Sequence, residues 1–381
     1  MSAEIRPFRI ETSEDELTDL KRRLRATRWP DAETVDDWTQ GIPLDYVKEV
    51  CDYWATEYDW RATESRINAL DQFQTEIEGV DIHFLHLHSK EPKALPLILT
   101  HGWPGSIVEF LKVLDPLIDP VAHGGDAGDA FHLVVPTLPG YGYSGKPTEP
   151  GWSVEKIADA WAQLMARLEY EWYGAQGGDW GAAVTTAIGI QDPEHCHGIH
   201  LNMVTVGPDS STMDSLTDLE KEALEGLNHY RDWDSGYSKQ QSTRPQTLGY
   251  GLADSPAGQV AWIFEKFWSW TDCDGHPENA LTRDEMLDNV MFYWLTNSAA
   301  SSGRLYWESF GKGGRRDPVE IPVGCSIFPK EIFRASRRWA EKRYKNIVHW
   351  NELDKGGHFA AFEQPGVFVD EVRASFRHLR G

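Results

Sequence analysis

The sequence predicts an α/β fold: a doubly wound, mostly parallel sheet with a helical lid inserted into it and a helical arm at its N-terminus. Three observations carry this. Short apolar runs alternate with helix-period segments through the middle of the chain, the pattern of strand–helix–strand units. That alternation breaks over residues 206–318, which are helix-like and polar with no clear buried strand. It then resumes to the end of the chain. The expected organisation is an arm at 1–72, a core at 73–205 and 319–381, and a lid at 206–318.

In the arm, Ser13 and Glu16 form a capping box ahead of Leu17, Leu20 and Leu24, an apolar stripe at helical spacing. The pair Trp29-Pro30 is expected to end that helix. A second helix is expected over 45–58, with Tyr46, Val50, Tyr53 and Trp54 on one face. The arm carries no recognisable chemistry. Alternating residues on either side of Gly79 read as a hairpin. The runs at 95–100 and 131–136 are continuous and apolar, as buried parallel strands are. A helix is expected between them at 106–118, and a Gly-rich loop follows at 140–145. The helix at 153–168 places Ile157, Trp161, Leu164, Met165 and Leu168 on one face. A strand at 171–176 and a helix from 182 come next, then a strand at 197–203. Beyond the lid, strands are expected at 321–328 and 346–350, with helices at 332–344 and 368–379.

Composition narrows the class. At 381 residues the chain can bury a large core. Its 37 basic and 60 acidic residues give a net charge of −23, which argues against nucleic acid or an anionic membrane as partner. No run approaches the length of a membrane span, and the first residues have no apolar signal core. Cys51, Cys196, Cys273 and Cys325 are scattered and form no CxxC pair, which fits a reduced, cytoplasmic setting. The 17 tryptophans suggest an aromatic-lined pocket. A homodimer is compatible with all of this.

The chemistry centres on Gly177-Gly178-Asp179-Trp180-Gly181, between a strand-like and a helix-like run. Gly-Gly-Asp is also an ordinary turn. Small residues two before and two after a central residue, however, are what a sharp strand-to-helix turn needs. Such a turn lifts the central side chain alone above the sheet edge, as in the nucleophile elbow G-x-S-x-G of α/β-hydrolases. Here the central residue is Asp179. In that fold the chain order is nucleophile, acid, histidine. His358, in the Gly-flanked loop after the last strand, is the base candidate. Glu331, at the end of the preceding strand, is the acid candidate, with Asp354 as its local rival. The loop His101-Gly102-Trp103-Pro104-Gly105-Ser106 nominates the Trp103 amide for an oxyanion hole, together with the amide of Trp180. The His101 side chain reads as structural.

An aspartate in the elbow selects the reaction. A serine that opened an epoxide would be left as an ether, which water and a neighbouring base cannot cleave. A carboxylate is left as an ester, which they can. Epoxides and alkyl halides are therefore the natural electrophiles. An epoxide oxygen needs a proton donor as the ring opens, and the lid offers phenols, among them Tyr237 and Tyr306. The residues alone do not single these two out of 13 tyrosines.

Nearly end to end the chain resembles the epoxide hydrolases of the α/β-hydrolase superfamily, in the branch that includes microsomal-type enzymes. The resemblance rests on the helical arm, His101-Gly102-Trp103-Pro104-Gly105, Gly177-Gly178-Asp179-Trp180-Gly181, Ser255-Pro256-Ala257-Gly258 and Gly356-Gly357-His358-Phe359-Ala360-Ala361. It implies Asp179 as nucleophile, Glu331 and His358 as the water-activating pair, and Tyr237 and Tyr306 as donors to the epoxide oxygen. It also implies a small-molecule epoxide substrate, with Trp103 and Trp180 beside the tyrosines in its pocket, and neither metal nor organic cofactor. Microsomal members carry an N-terminal anchor that this chain does not show, so a soluble, bacterial-type relative is expected. The run Trp262, Phe264, Phe267, Trp268 and Trp270 hints at a bulky aryl epoxide, as in detoxification or natural-product biosynthesis.

Two other readings stand beside this one. A haloalkane dehalogenase also uses an elbow aspartate, and Trp180 is compatible with a halide-binding indole. A non-catalytic hydrolase-like binding protein is the other, against which the full set of candidate groups argues. Two clusters could suggest metal. His195-Cys196-His197 with His200 lies on one strand, whose neighbours face opposite ways. Asp272-Cys273-Asp274-Gly275 lacks the spacing of a calcium loop.

Overall fold

The computed structural model describes residues 4–310 and 317–380. Residues 1–3, 311–316 and 381, parts of the expected arm, lid and core, lie outside the described residues. The architecture is the α/β-hydrolase fold, a mostly parallel sheet flanked by helices. Nine strands form one sheet: β1 (Ile5–Pro7), β2 (Gln72–Ile77), β3 (Val80–Leu87), β4 (Leu95–Thr100), β5 (Phe131–Pro136), β6 (Tyr173–Gly177), β7 (Cys196–Leu201), β8 (Val319–Ile327) and β9 (Tyr344–Glu352). Their order is β1-β2-β3-β5-β4-β6-β7-β8-β9. The pairings among β1, β2, β3 and β5 are antiparallel, and those from β5 through β9 are parallel.

The central strands are where apolar runs predict them. All six residues of β4 are buried, because helices cover both faces of a parallel sheet. The helix Val154–Arg167 buries Ile157, Trp161, Leu164 and Met165, the face read from its periodicity. The open carboxyl ends of β4, β6, β8 and β9 collect four loops on one edge, where ligands bind in open α/β sheets.

The arm holds more than helices. Its first strand, β1, adds an edge to the sheet by pairing with β2. Ser13 and Glu16 do form a reciprocal capping box on the helix Glu14–Arg25. That helix stops four residues short of Trp29, where the Thr27 hydroxyl donates to the carbonyl oxygens of Arg23 and Leu24. The second helix is Leu44–Thr56, and a third, Trp60–Asn68, follows without having been expected.

Two other expectations are corrected. Residues 106–118 form a 3₁₀ turn, Ile107–Phe110, and a short helix, Leu114–Ile118. The Ser106 hydroxyl holds the first turn to the Val108 amide and donates to Asn289 across the fold. The helix expected at 332–344 is reduced to Arg337–Ala340, because Ser336 caps it and donates to buried Glu220. Between β7 and β8 the described chain is helical. Its helix Arg283–Trp294 is bound on both sides. Asp288 accepts from Tyr58, Thr63 and Arg66 of the arm, while Asn289 and Tyr293 donate to the carbonyls of Pro104 and Gly105. The arm thus reaches the loop after β4 through one helix.

Candidate active site

The strand β6 turns into the helix Asp179–Gln191 within two residues, and Asp179 takes a φ of 50°. Left-handed backbone in a non-glycine residue is strained, and here it places the side chain at the turn's apex. The turn is possible because its flanks lack Cβ atoms. One on Gly181 would lie 1.8 Å from the Thr100 carbonyl oxygen, and one on Gly177 would lie 2.1 Å from that of Gly181.

The loop after β4 meets the carboxylate. The Trp103 amide donates to Asp179 Oδ1 at 2.8 Å. Among the described residues the Trp180 amide makes no such bond; it is one of the amides a first helical turn leaves free. A Cβ on Gly102 would fall 2.3 Å from Asp179 Cβ and 2.2 Å from Oδ1. Gly102→Ala is therefore expected to displace the carboxylate and lower kcat/KM by about 100-fold, with the fold retained by circular dichroism. The His101 ring is buried, and desolvation brings its pKa down to about 4. Its Nε2 accepts from the Leu138 amide, so Nδ1 carries the proton and donates to the Gly102 carbonyl. This histidine fixes the loop.

His358 Nε2 lies 3.3 Å from Asp179 Oδ2, and its Nδ1 lies 2.7 Å from Glu331 Oε1. Both His358 and Glu331 are buried. The Ile332 amide donates to the same Glu331 oxygen at 2.7 Å, which fixes that carboxylate. Asp354 is exposed and does not reach the imidazole. Desolvation acts to lower the His358 pKa, but Glu331 and Asp179 outweigh it, and the net shift is well upward. The backbone around His358 is pinned as well. Its amide donates to the Trp270 carbonyl, and Glu363 accepts from the amides of Phe359 and Asp272.

Two phenols close over the carboxylate. Tyr237 stacks on Trp103 with centroids 4.8 Å apart at 8° and meets Tyr306 edge-on at 5.8 Å. Tyr306 packs edge-on against Trp180 at 4.7 Å. Burial, reinforced by neighbouring phenols and Asp179, pushes both hydroxyls well above their ordinary pKa. Both stay protonated as donors.

Sequence reading missed three nearby groups. The Tyr230 hydroxyl lies 3.0 Å from that of Tyr237. Lys266 is buried, with Nζ 2.6 Å from Asp234 Oδ1 and 4.8 Å from the Tyr237 ring centre. Glu109 lines the space behind Asp179 and His358. Tyr230 could have been found seven residues before Tyr237, two helical turns away. Nothing in the sequence separates Lys266 from a surface lysine. Of the five aromatics at 262–270, Phe264 and Phe267 are core, and Trp268 stacks on Trp38 of the arm. Trp270 faces the site, 5.0 Å from the His358 ring.

The candidate metal residues diverge. His195 bonds Asp192, His197 stacks on Trp172 at the surface, and His200 bonds buried Ser326. Asp272 accepts from the Gly356 amide. All four cysteines are free and buried. Among the described residues, no helix is long and apolar enough to cross a membrane.

The family profile "Epoxide hydrolase N terminus" matches residues 5–110, and "alpha/beta hydrolase fold" matches 96–246. A relative from Stigmatella aurantiaca is 54% identical over 376 residues, covering 99% of this chain and 86% of that one. "Epoxide hydrolase 1" of Oryctolagus cuniculus is 35% identical over 403 residues, covering 97% and 88%. Among solved structures, the juvenile hormone epoxide hydrolase of the silkworm Bombyx mori superposes with a TM-score of 0.92 at 32% identity, covering 100% of this chain and 96% of that one. The epoxide hydrolase of Aspergillus niger gives 0.89 at 33% identity, covering 98% and 96%.

Proposed function

From the premise that the chain belongs to the epoxide hydrolase family, we propose that it converts an epoxide and water to a vicinal diol through an ester on Asp179. The observation that carries this is the placement of one strained carboxylate. Asp179 sits between a backbone N–H donor, the His358–Glu331 pair and two buried phenols.

In the first step an Asp179 oxygen attacks a ring carbon and the carbon–oxygen bond of the epoxide breaks. Tyr237 and Tyr306 hold the departing oxygen and supply its proton. Esterification then removes the charge of Asp179, and with it part of what raises the proton affinity of His358. The imidazole thus becomes a better base when a base is needed. In the second step His358, oriented by Glu331, takes a proton from water as that water attacks Asp179 Cγ. The Trp103 amide takes the negative charge that develops on the carbonyl oxygen. The Trp180 amide, free at the helix start, is the proposed second donor.

The inserted helices act as a lid that carries the phenols, and the acidic chain with its four free cysteines suits a cytoplasmic setting. Trp103, Tyr237, Trp270 and Tyr306 wall the site with rings, which suits a bulky or aryl epoxide such as styrene oxide. Diol formation from an epoxide panel tests the reading, with halide release from chloroalkanes as the contrast; halide release without diol would overturn it. Tyr237→Phe and Tyr306→Phe are each expected to lower kcat/KM by about 10²-fold through slower ester formation. Unchanged ester formation in both variants would remove the phenols from the mechanism.

A further inference from the structure

A cavity of about 20 Å³ lies against the catalytic carboxylate, lined by Glu109, Asp179, His358, Asn202, Gly178 and Phe359, among others. It has room for a single water. Neither Tyr237 nor Tyr306 lines it. Its remaining walls are largely apolar, including Phe110, Ala360, Ala361 and Phe368.

Glu109 is the group there that the mechanism has not used. It sits in the 3₁₀ turn after the oxyanion loop. Among the described residues its carboxyl has no hydrogen-bond or ion-pair partner. The absence of a side chain at Gly105 makes room for it, since a Cβ there would lie 2.5 Å from Glu109 Oε2. Desolvation pushes its pKa up to about 8, so near neutral pH the group is mainly the uncharged acid. A neutral carboxyl can accept a hydrogen bond from water without opposing the oxyanion that forms beside it.

We propose that Glu109 is a catalytic residue of the second half-reaction, holding in this cavity, together with His358, the water that hydrolyses the Asp179 ester. This rests on the reading of Asp179 as nucleophile. The water oxygen bonds to Asp179 Cγ while one of its protons moves to His358 Nε2. Its other hydrogen stays bonded to the Glu109 carbonyl oxygen. Collapse breaks the bond from Cγ to the ester oxygen, formerly an Asp179 carboxylate oxygen, which leaves on the substrate carbon as the alcohol with the proton from His358, while the water oxygen stays in the Asp179 carboxylate. Glu109 ends as it began.

Rapid-quench measurement of both steps with styrene oxide tests this. Glu109→Met keeps the shape and removes the acceptor. Gly105→Ala pushes the carboxyl away from a different wall, which guards against a folding failure of the first variant. Glu109→Gln restores a neutral acceptor. In Met and Ala variants, ester hydrolysis is expected to slow by at least about tenfold, with ester formation within about threefold of wild type. The Gln variant is expected to hydrolyse the ester within about threefold of wild type. Hydrolysis at the wild-type rate in Glu109→Met, or an equal slowing of both steps, would overturn the assignment. If no ester forms in any of these proteins, the nucleophile reading itself falls.

Discussion

Asp179→Ala is expected to reduce diol formation by about 10⁴- to 10⁶-fold, to the limit of detection, while leaving the protein folded. The size follows from what the substitution removes. Asp179 is the one group that bonds to carbon, and the remaining residues only orient or exchange protons. Glu331 is engaged with the His358 imidazole and the Ile332 amide and cannot replace it. Glu109 lines the cavity beside Asp179, and desolvation, which pushes its pKa up to about 8, keeps it mainly uncharged near neutral pH. Folding should survive because the elbow is made by its neighbours, where Gly181 permits the close approach of β4 and Gly177 the tight return of the helix. Alanine at a φ of 50° is only modestly more strained than aspartate. Steady-state diol assay, with thermal melting as control, checks both halves. More than about one per cent of wild-type turnover would remove Asp179 from the nucleophile's role.

His358→Gln is expected to separate the two half-reactions. Ester formation needs no base, because Asp179 attacks as the anion. Ester hydrolysis does need one, and loss of a positioned base slows such a step by about 10²- to 10⁴-fold. The variant should therefore consume one equivalent of epoxide per active site and then nearly stop. Burial of the imidazole between two carboxylates adds a pH dependence in the parent protein. His358 holds its proton more tightly than an ordinary histidine while Asp179 is charged, and less tightly once Asp179 is an ester. Ester hydrolysis, measured in a single turnover, should rise with pH through a lower pKa than the one that titrates in the free protein.

The parts of this site that could be read from sequence share a physical cause. β4 and β5 are continuous apolar runs because they are covered on both faces. Their ends, and the small-residue turn at 177–181, locate the catalytic edge. His358 and Glu331 follow from strand ends and chain order. What could not be read was decided by contacts distant in sequence. Tyr237 gains its place from stacking on Trp103 and meeting Trp270 edge-on. Lys266 has a basic side chain in a buried position, which its pairing with Asp234 and Glu265 explains. The helix expected at 332–344 is reduced to Arg337–Ala340 because Glu331 and Ser336 make tertiary bonds, to His358 and Glu220. The edge strand β1 has three residues, too few for a periodicity signal.

The covalent ester on Asp179 is detectable as mass, by intact mass spectrometry of His358→Gln after incubation with styrene oxide. A gain of one substrate mass is expected, located on the peptide that contains Asp179 and absent from an Asp179→Ala, His358→Gln double variant. Diol release at the wild-type rate with no adduct at any time would contradict it, because water would then be attacking the epoxide directly.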